Sequence, residues 1–241
     1  MKELDVQEVG MQNKLLKMSL LFLIAVLGLV SIDVLAHGVD DNTRAFLEQN
    51  QGIQFVPFLY IGAKHMITGY DHLLFLVGVI FFLYRSKDVL LYVTMFTLGH
   101  STTLLLGVLG DINVNAYLID AIIGFSVIYK GFDNLGGFKR CFNWQPNTKA
   151  AVLIFGLFHG FGLATKLQEF QLPEDGLLVN LIAFNIGVEL GQFAALIFIL
   201  IAINAWRHFP SFQRFSTLTN TALMSAGVML VGFQLTGYFV S

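Results

Sequence analysis

A single cysteine, Cys141, excludes a disulfide or a multi-thiolate metal site within one chain. Four prolines and no Ser- or Gly-rich stretch leave no flexible linker, so the chain reads as one compact domain behind its leader. Charge is scarce as well: 12% of residues, against about a quarter in soluble domains. A net charge of −2 offers nothing to a phosphate backbone, which excludes a nucleic-acid partner. Neither the HExxH pair of zinc peptidases nor the GxSxG elbow of hydrolases occurs. The seven methionines are mostly scattered, which argues against a methionine ladder for copper(I).

What fills the chain instead is apolar: 56% of residues, with a mean hydropathy of +0.70. One soluble core could not hide so much apolar surface, whereas a lipid bilayer can. Six segments reach the ~20 residues that a spanning helix needs. They cover 62–84, 89–109, 114–132, 149–167, 177–206 and 218–240. The first runs back through Lys64 and His65 because 70–84 alone is too short, and 54–61, with Pro57, reads as an interfacial lead-in. The expected fold is all-α, a polytopic transmembrane bundle of six core spans over 37–241.

Residues 1–36 read as a signal peptide or signal anchor. Lys14 and Lys17 precede an apolar run over 20–30, and Val34-Leu35-Ala36 suits cleavage after Ala36. An uncleaved leader would form a seventh helix. Arg85, Lys87, Lys139, Arg140, Lys149, Arg207 and Arg214 mark one set of alternate loops, and Asp111, Glu169, Glu174 and Asp175 the other. Basic loops stay in the cytoplasm, so both mature termini are expected outside.

Against this background, polar groups within the spans stand out: His65, Asp71, His72, His100, Asp120, His159, Asn185, Glu189 and Gln192. An aspartate at mid-membrane costs about 2.5–3.5 kcal/mol on insertion scales, so these groups are expected to face one another inside the bundle. His65 and His72 lie two turns apart on one face; Asn185, Glu189 and Gln192 recur at i, i+4 and i+7. Gly187 and Gly191, and Gly156, Gly160 and Gly162 around His159, predict tight crossings. Imidazole with carboxylate suits nickel, cobalt, zinc or copper(II). Each histidine alone could be an interhelical hydrogen-bond anchor. Asp71 could fix the tautomer of a neighbouring imidazole, and Asp120 could pair with a residue on an adjacent helix.

His65-Met-Ile-Thr-Gly-Tyr-Asp71-His72 resembles the H-x5-D-H signature of the HupE/UreJ hydrogenase and urease accessory membrane proteins. Thr97-Leu-Gly-His100-Ser, Phe155-Gly-Leu-Phe-His159-Gly and Phe184-Asn-Ile-Gly-Val-Glu189-Leu-Gly-Gln192 resemble that family's later helices, in order. The resemblance covers about residues 53–240. It implies a bacterial inner-membrane protein with six mature helices, a permease for nickel or cobalt that supplies metalloenzymes and their maturation proteins. By motif position, His65, Asp71, His72, His100, His159 and Glu189 are the implied metal ligands, with Asp120, Asn185 and Gln192 supporting them. Two other readings stay open: an intramembrane zinc hydrolase with Asp71 or Glu189 as general base, and a non-transporting accessory or sensor subunit.

Overall fold

Glycine, rather than bulky apolar packing, decides where the helices meet. The computed structural model describes residues 52–168 and 175–240, all within the compact unit Gly38–Ser241. The leader expected over 1–36, His37, Glu169 and Glu174 lie outside the described residues. Those described form eight helices and no strand: α1 (Phe55–Thr68), α2 (Tyr70–Ile80), α3 (Ser86–Leu109), α4 (Ala116–Asn134), α5 (Gly137–Phe142), α6 (Thr148–Gln168), α7 (Leu177–Arg207) and α8 (Ser211–Val240). Three pairs dominate the packing: α3 with α6 and α1 with α7, each running parallel, and α4 with α8, running antiparallel.

The first two pairs meet backbone to backbone. A methyl group on Gly187 would overlap the Leu59 carbonyl of α1, and one on Gly160 would overlap the His100 carbonyl of α3. Lipid offers no hydrophobic drive between helices, so such close approach and its dispersion contacts substitute for it. Thr103 adds an interhelical bond at the same level, its Oγ1 donating to the Leu157 carbonyl at 2.6 Å.

Among the described residues, four helices are long and apolar enough to cross a membrane: α3, α6, α7 and α8. The 19-residue α4 falls outside this set and carries Asp120, Lys130 and Asp133. The segment expected as one span over 62–84 is two helices instead. Its lead-in 54–61 is absorbed largely into α1, which starts at Phe55, and the helix breaks at Gly69.

Gly69 adopts an extended ψ of 96°, although its N–H still reaches the His65 carbonyl at 2.9 Å. A Cβ there would stand 2.9 Å from His72 Nδ1 and 3.1 Å from Asp71 Oδ1. Only glycine leaves room for that pair. Apolar periodicity runs smoothly through the break, which is why the sequence pattern reads as one helix.

Candidate functional site

The break at Gly69 turns Asp71 and His72 into the first turn of α2, both buried. Asp71 Oδ1 accepts from the His72 backbone N–H at 2.9 Å, satisfying one of the donors that a helix start leaves open. The same oxygen lies 2.8 Å from His72 Nδ1. An ionised carboxylate only accepts, so the ring proton sits on Nδ1 and the lone pair on Nε2.

His159 arrives at the same state by another route. Its Nδ1 lies 2.7 Å from the Phe155 carbonyl one turn back, again an acceptor only. Nε2 therefore carries the lone pair. The His72 and His159 ring centroids are 4.9 Å apart. His100 lies 6.2 Å from His72, and His65 lies 5.1 Å from it. Imidazoles from α1, α3 and α6 thus gather around the His72 ring of α2. The glycine contacts place them there: the His100 carbonyl seats Gly160, the residue that follows His159.

Burial makes the arrangement costly as it stands. His100 and His159 are 0% and 1% exposed. Among the described residues, His72 Nε2, His159 Nε2 and both ring nitrogens of His100 have no hydrogen-bond partner. Leaving such a buried group unsatisfied costs about 1–3 kcal/mol. Gln192 adds an amide nitrogen in the same condition, while its Oε1 accepts from Thr97 at 3.1 Å. His72 and Gln192 line a cavity of about 10 Å³, room for one water-sized guest, with Met66, Phe75 and Phe96. Buried imidazole lone pairs with no protein donor are the chemistry of a cation site. No three His, Cys, Asp or Glu side chains among the described residues are arranged to hold one ion in this conformation. The site is a cluster of neighbouring imidazoles and not a formed coordination sphere.

Other residues expected here lie elsewhere. Asp120 on α4 is engaged by Lys166 of α6, at 2.8 and 3.1 Å from its two oxygens. Asn185 donates to the Leu181 carbonyl of its own helix. Glu189 is exposed, beside the exposed Leu190. At about 100° per residue it sits roughly 40–60° around α7 from Asn185 and Gln192, enough to carry it off the inward face. The i, i+4, i+7 stripe was too coarse to resolve that edge.

Sequence reasoning also missed two cations that reach into the bundle. Lys130 is buried, its Nζ donating to Asp133. Arg207 read as a topology marker, yet its guanidinium Nη2 reaches the Ile80 and Phe81 carbonyls at the far end of α2. A family model described as HupE / UreJ protein matches residues 41–241. No curated protein and no solved structure matches the chain.

Proposed function

The chain belongs to the HupE/UreJ family, and from that membership we propose that it is a membrane permease for a divalent transition-metal ion. The observation that carries the reading is the set of partnerless ring nitrogens on His72, His100 and His159, gathered from three helices around one buried point. The His65 ring of α1 stands beside that of His72, and Asp71 holds the His72 ring in the tautomer that presents Nε2. Neutral imidazoles bind nickel, cobalt, zinc and copper(II) well and magnesium or calcium poorly. Nickel or cobalt is the cargo that fits both this donor set and the family, with nickel or cobalt enzymes and their maturation proteins as recipients.

Six core spans complete the proposal, α1 and α2 together forming one interrupted span and α4 serving as the charged one. Broken helices recur at the ion sites of transporters because an unwound turn frees side chains and backbone for the cargo. The basic ends near Arg85, Lys139 and Arg214 face the cytoplasm of a bacterial inner membrane, and a signal segment over 1–36 directs insertion. The ion exchanges its water for imidazoles drawn together on binding, then leaves toward the basic face.

Uptake of nickel-63 or cobalt-57 by cells expressing the chain tests this. Replacing His72 or His159 by alanine removes a ligand. Uptake should fall by more than about a hundredfold, the upper range for losing even a group that supports a ligand. Uptake that persists at full protein level in both variants would dismiss the reading.

A further inference from the structure

Resting on that reading, we infer that Arg207 is a positioning residue for the imidazole site: it clamps α2 from the end opposite His72. α2 has only 11 residues, roughly 16 Å of helix. At one end it is joined to α1 through the extended Gly69 and carries Asp71 and His72. At the other end its last carbonyls lack the donors of a continuing helix; the Ile80 carbonyl accepts from the Leu83 N–H at 3.0 Å in a closing turn, and within a bilayer the rest must be satisfied by protein.

Two side chains do this. Arg207 Nη2 donates to the Ile80 carbonyl at 2.8 Å and the Phe81 carbonyl at 2.7 Å. Asn134 Nδ2 donates to the Gly78 carbonyl at 2.8 Å. A cation at a helix C-terminus also complements the helix dipole.

The arginine is itself held. Its Nη1 donates to Asn204 Oδ1 at 2.9 Å, and its Cζ lies 4.4 Å from the Tyr84 ring centroid and 5.9 Å from that of Phe212. Phe212 in turn stacks on Phe81, with centroids 5.1 Å apart. The end of α2 is therefore fixed to α7 and α8, while Gly69 gives its beginning little stiffness. A rigid rod held at its far end sets the depth and rotation of the ring at its near end. His72 stands within 4.9–6.2 Å of the other three imidazoles by centroid, so small shifts of α2 matter to all of them at once.

The test uses the purified full-length chain, nickel ion alone as probe, and three readouts: nickel affinity by calorimetry, hydrogen exchange along residues 70–80, and thermal unfolding. Arg207→Met should weaken nickel binding about tenfold, the loss of a charge-assisted hydrogen bond, and speed exchange in α2 but not in α1. Arg207→Lys keeps a donor and should recover part of both. The His72→Ala background separates positioning from general loosening. There, Arg207→Met should change residual nickel affinity by less than twofold, because the ring it positions is gone. Wild-type affinity in Arg207→Met, or the same tenfold loss with and without His72, overturns the inference while leaving the permease reading intact. Absence of nickel binding by the wild-type chain strikes the permease reading instead. The clamp then stands or falls on the exchange data, and unchanged exchange in α2 overturns it.

Discussion

Two buried polar regions of this bundle obey opposite rules. Around α4, every acid is answered from within the protein: Lys166 engages Asp120, Lys130 engages Asp133, and Gln145 donates to the other Asp133 oxygen at 2.7 Å. Asn134 bonds Asn220 as well as Gly78, and Asn220 bonds the Ser216 carbonyl. Among His72, His100 and His159, by contrast, the internal bonds stop at Nδ1 of His72 and of His159, and their other ring nitrogens find no protein donor or acceptor among the described residues. A closed network holds helices together, and adding a guest to it would only break bonds. An open one is complete only with something bound. Histidines and aspartates alike look like site residues in a linear reading, and only partner accounting tells them apart.

The largest expected effect probes the closed region. Lys166→Ala leaves Asp120 buried and unpaired, and breaking a buried pair from one side costs about 3–5 kcal/mol. The amount of folded protein recovered from membranes should fall sharply. Replacing both partners, Asp120→Leu with Lys166→Met, should restore folding and leave nickel affinity near that of the wild type. Lost affinity in the folded double variant would show that the ion pair belongs to the site and would break the distinction between the regions.

Asp71→Asn comes next and probes the open region. The amide keeps the size of the side chain but no longer dictates the His72 tautomer. Nickel affinity should drop ten- to a hundredfold, the usual cost of losing a group that orients a metal-bound histidine. Unfolding temperature should stay close to that of the wild type, in contrast to Lys166→Ala. A smaller change follows from Thr97→Val. This variant removes the bond that holds Gln192 over the cavity, worth about 0.5–1.5 kcal/mol, and should weaken nickel binding no more than about tenfold.

Much of this was legible before any coordinates. Apolar runs marked the helices, and Gly187, Gly191, Gly156 and Gly160 marked the close crossings because few other residues allow backbones to touch in lipid. The suggestions that Asp71 steadies a neighbouring imidazole and that Asp120 pairs across helices match the contacts seen with His72 and Lys166. What stayed hidden has two causes. The burial of Lys130 against Gly78 and the reach of Arg207 into α2 depend on which neighbour arrives from far along the chain, whereas the break at Gly69 is local and is masked by the apolar run that continues across it. Periodicity along one helix carries no information about such a neighbour.

Glu189 is the sharpest case for comparing motif with geometry. It shares a motif with Gln192, yet Gln192 is 1% exposed beside His72 whereas Glu189 is exposed at the edge of α7. A carboxylate exposed there, roughly 60° around the helix from Gln192, is not packed among the imidazoles. Glu189→Gln should therefore change nickel affinity of the purified chain by less than about twofold, far below the loss in Asp71→Asn. The two variants are best measured side by side, under the same detergent and salt. A loss in Glu189→Gln as large as that in Asp71→Asn would mean that α7 turns its outer edge inward when the ion binds. The open region would then include a charge that this conformation keeps outside.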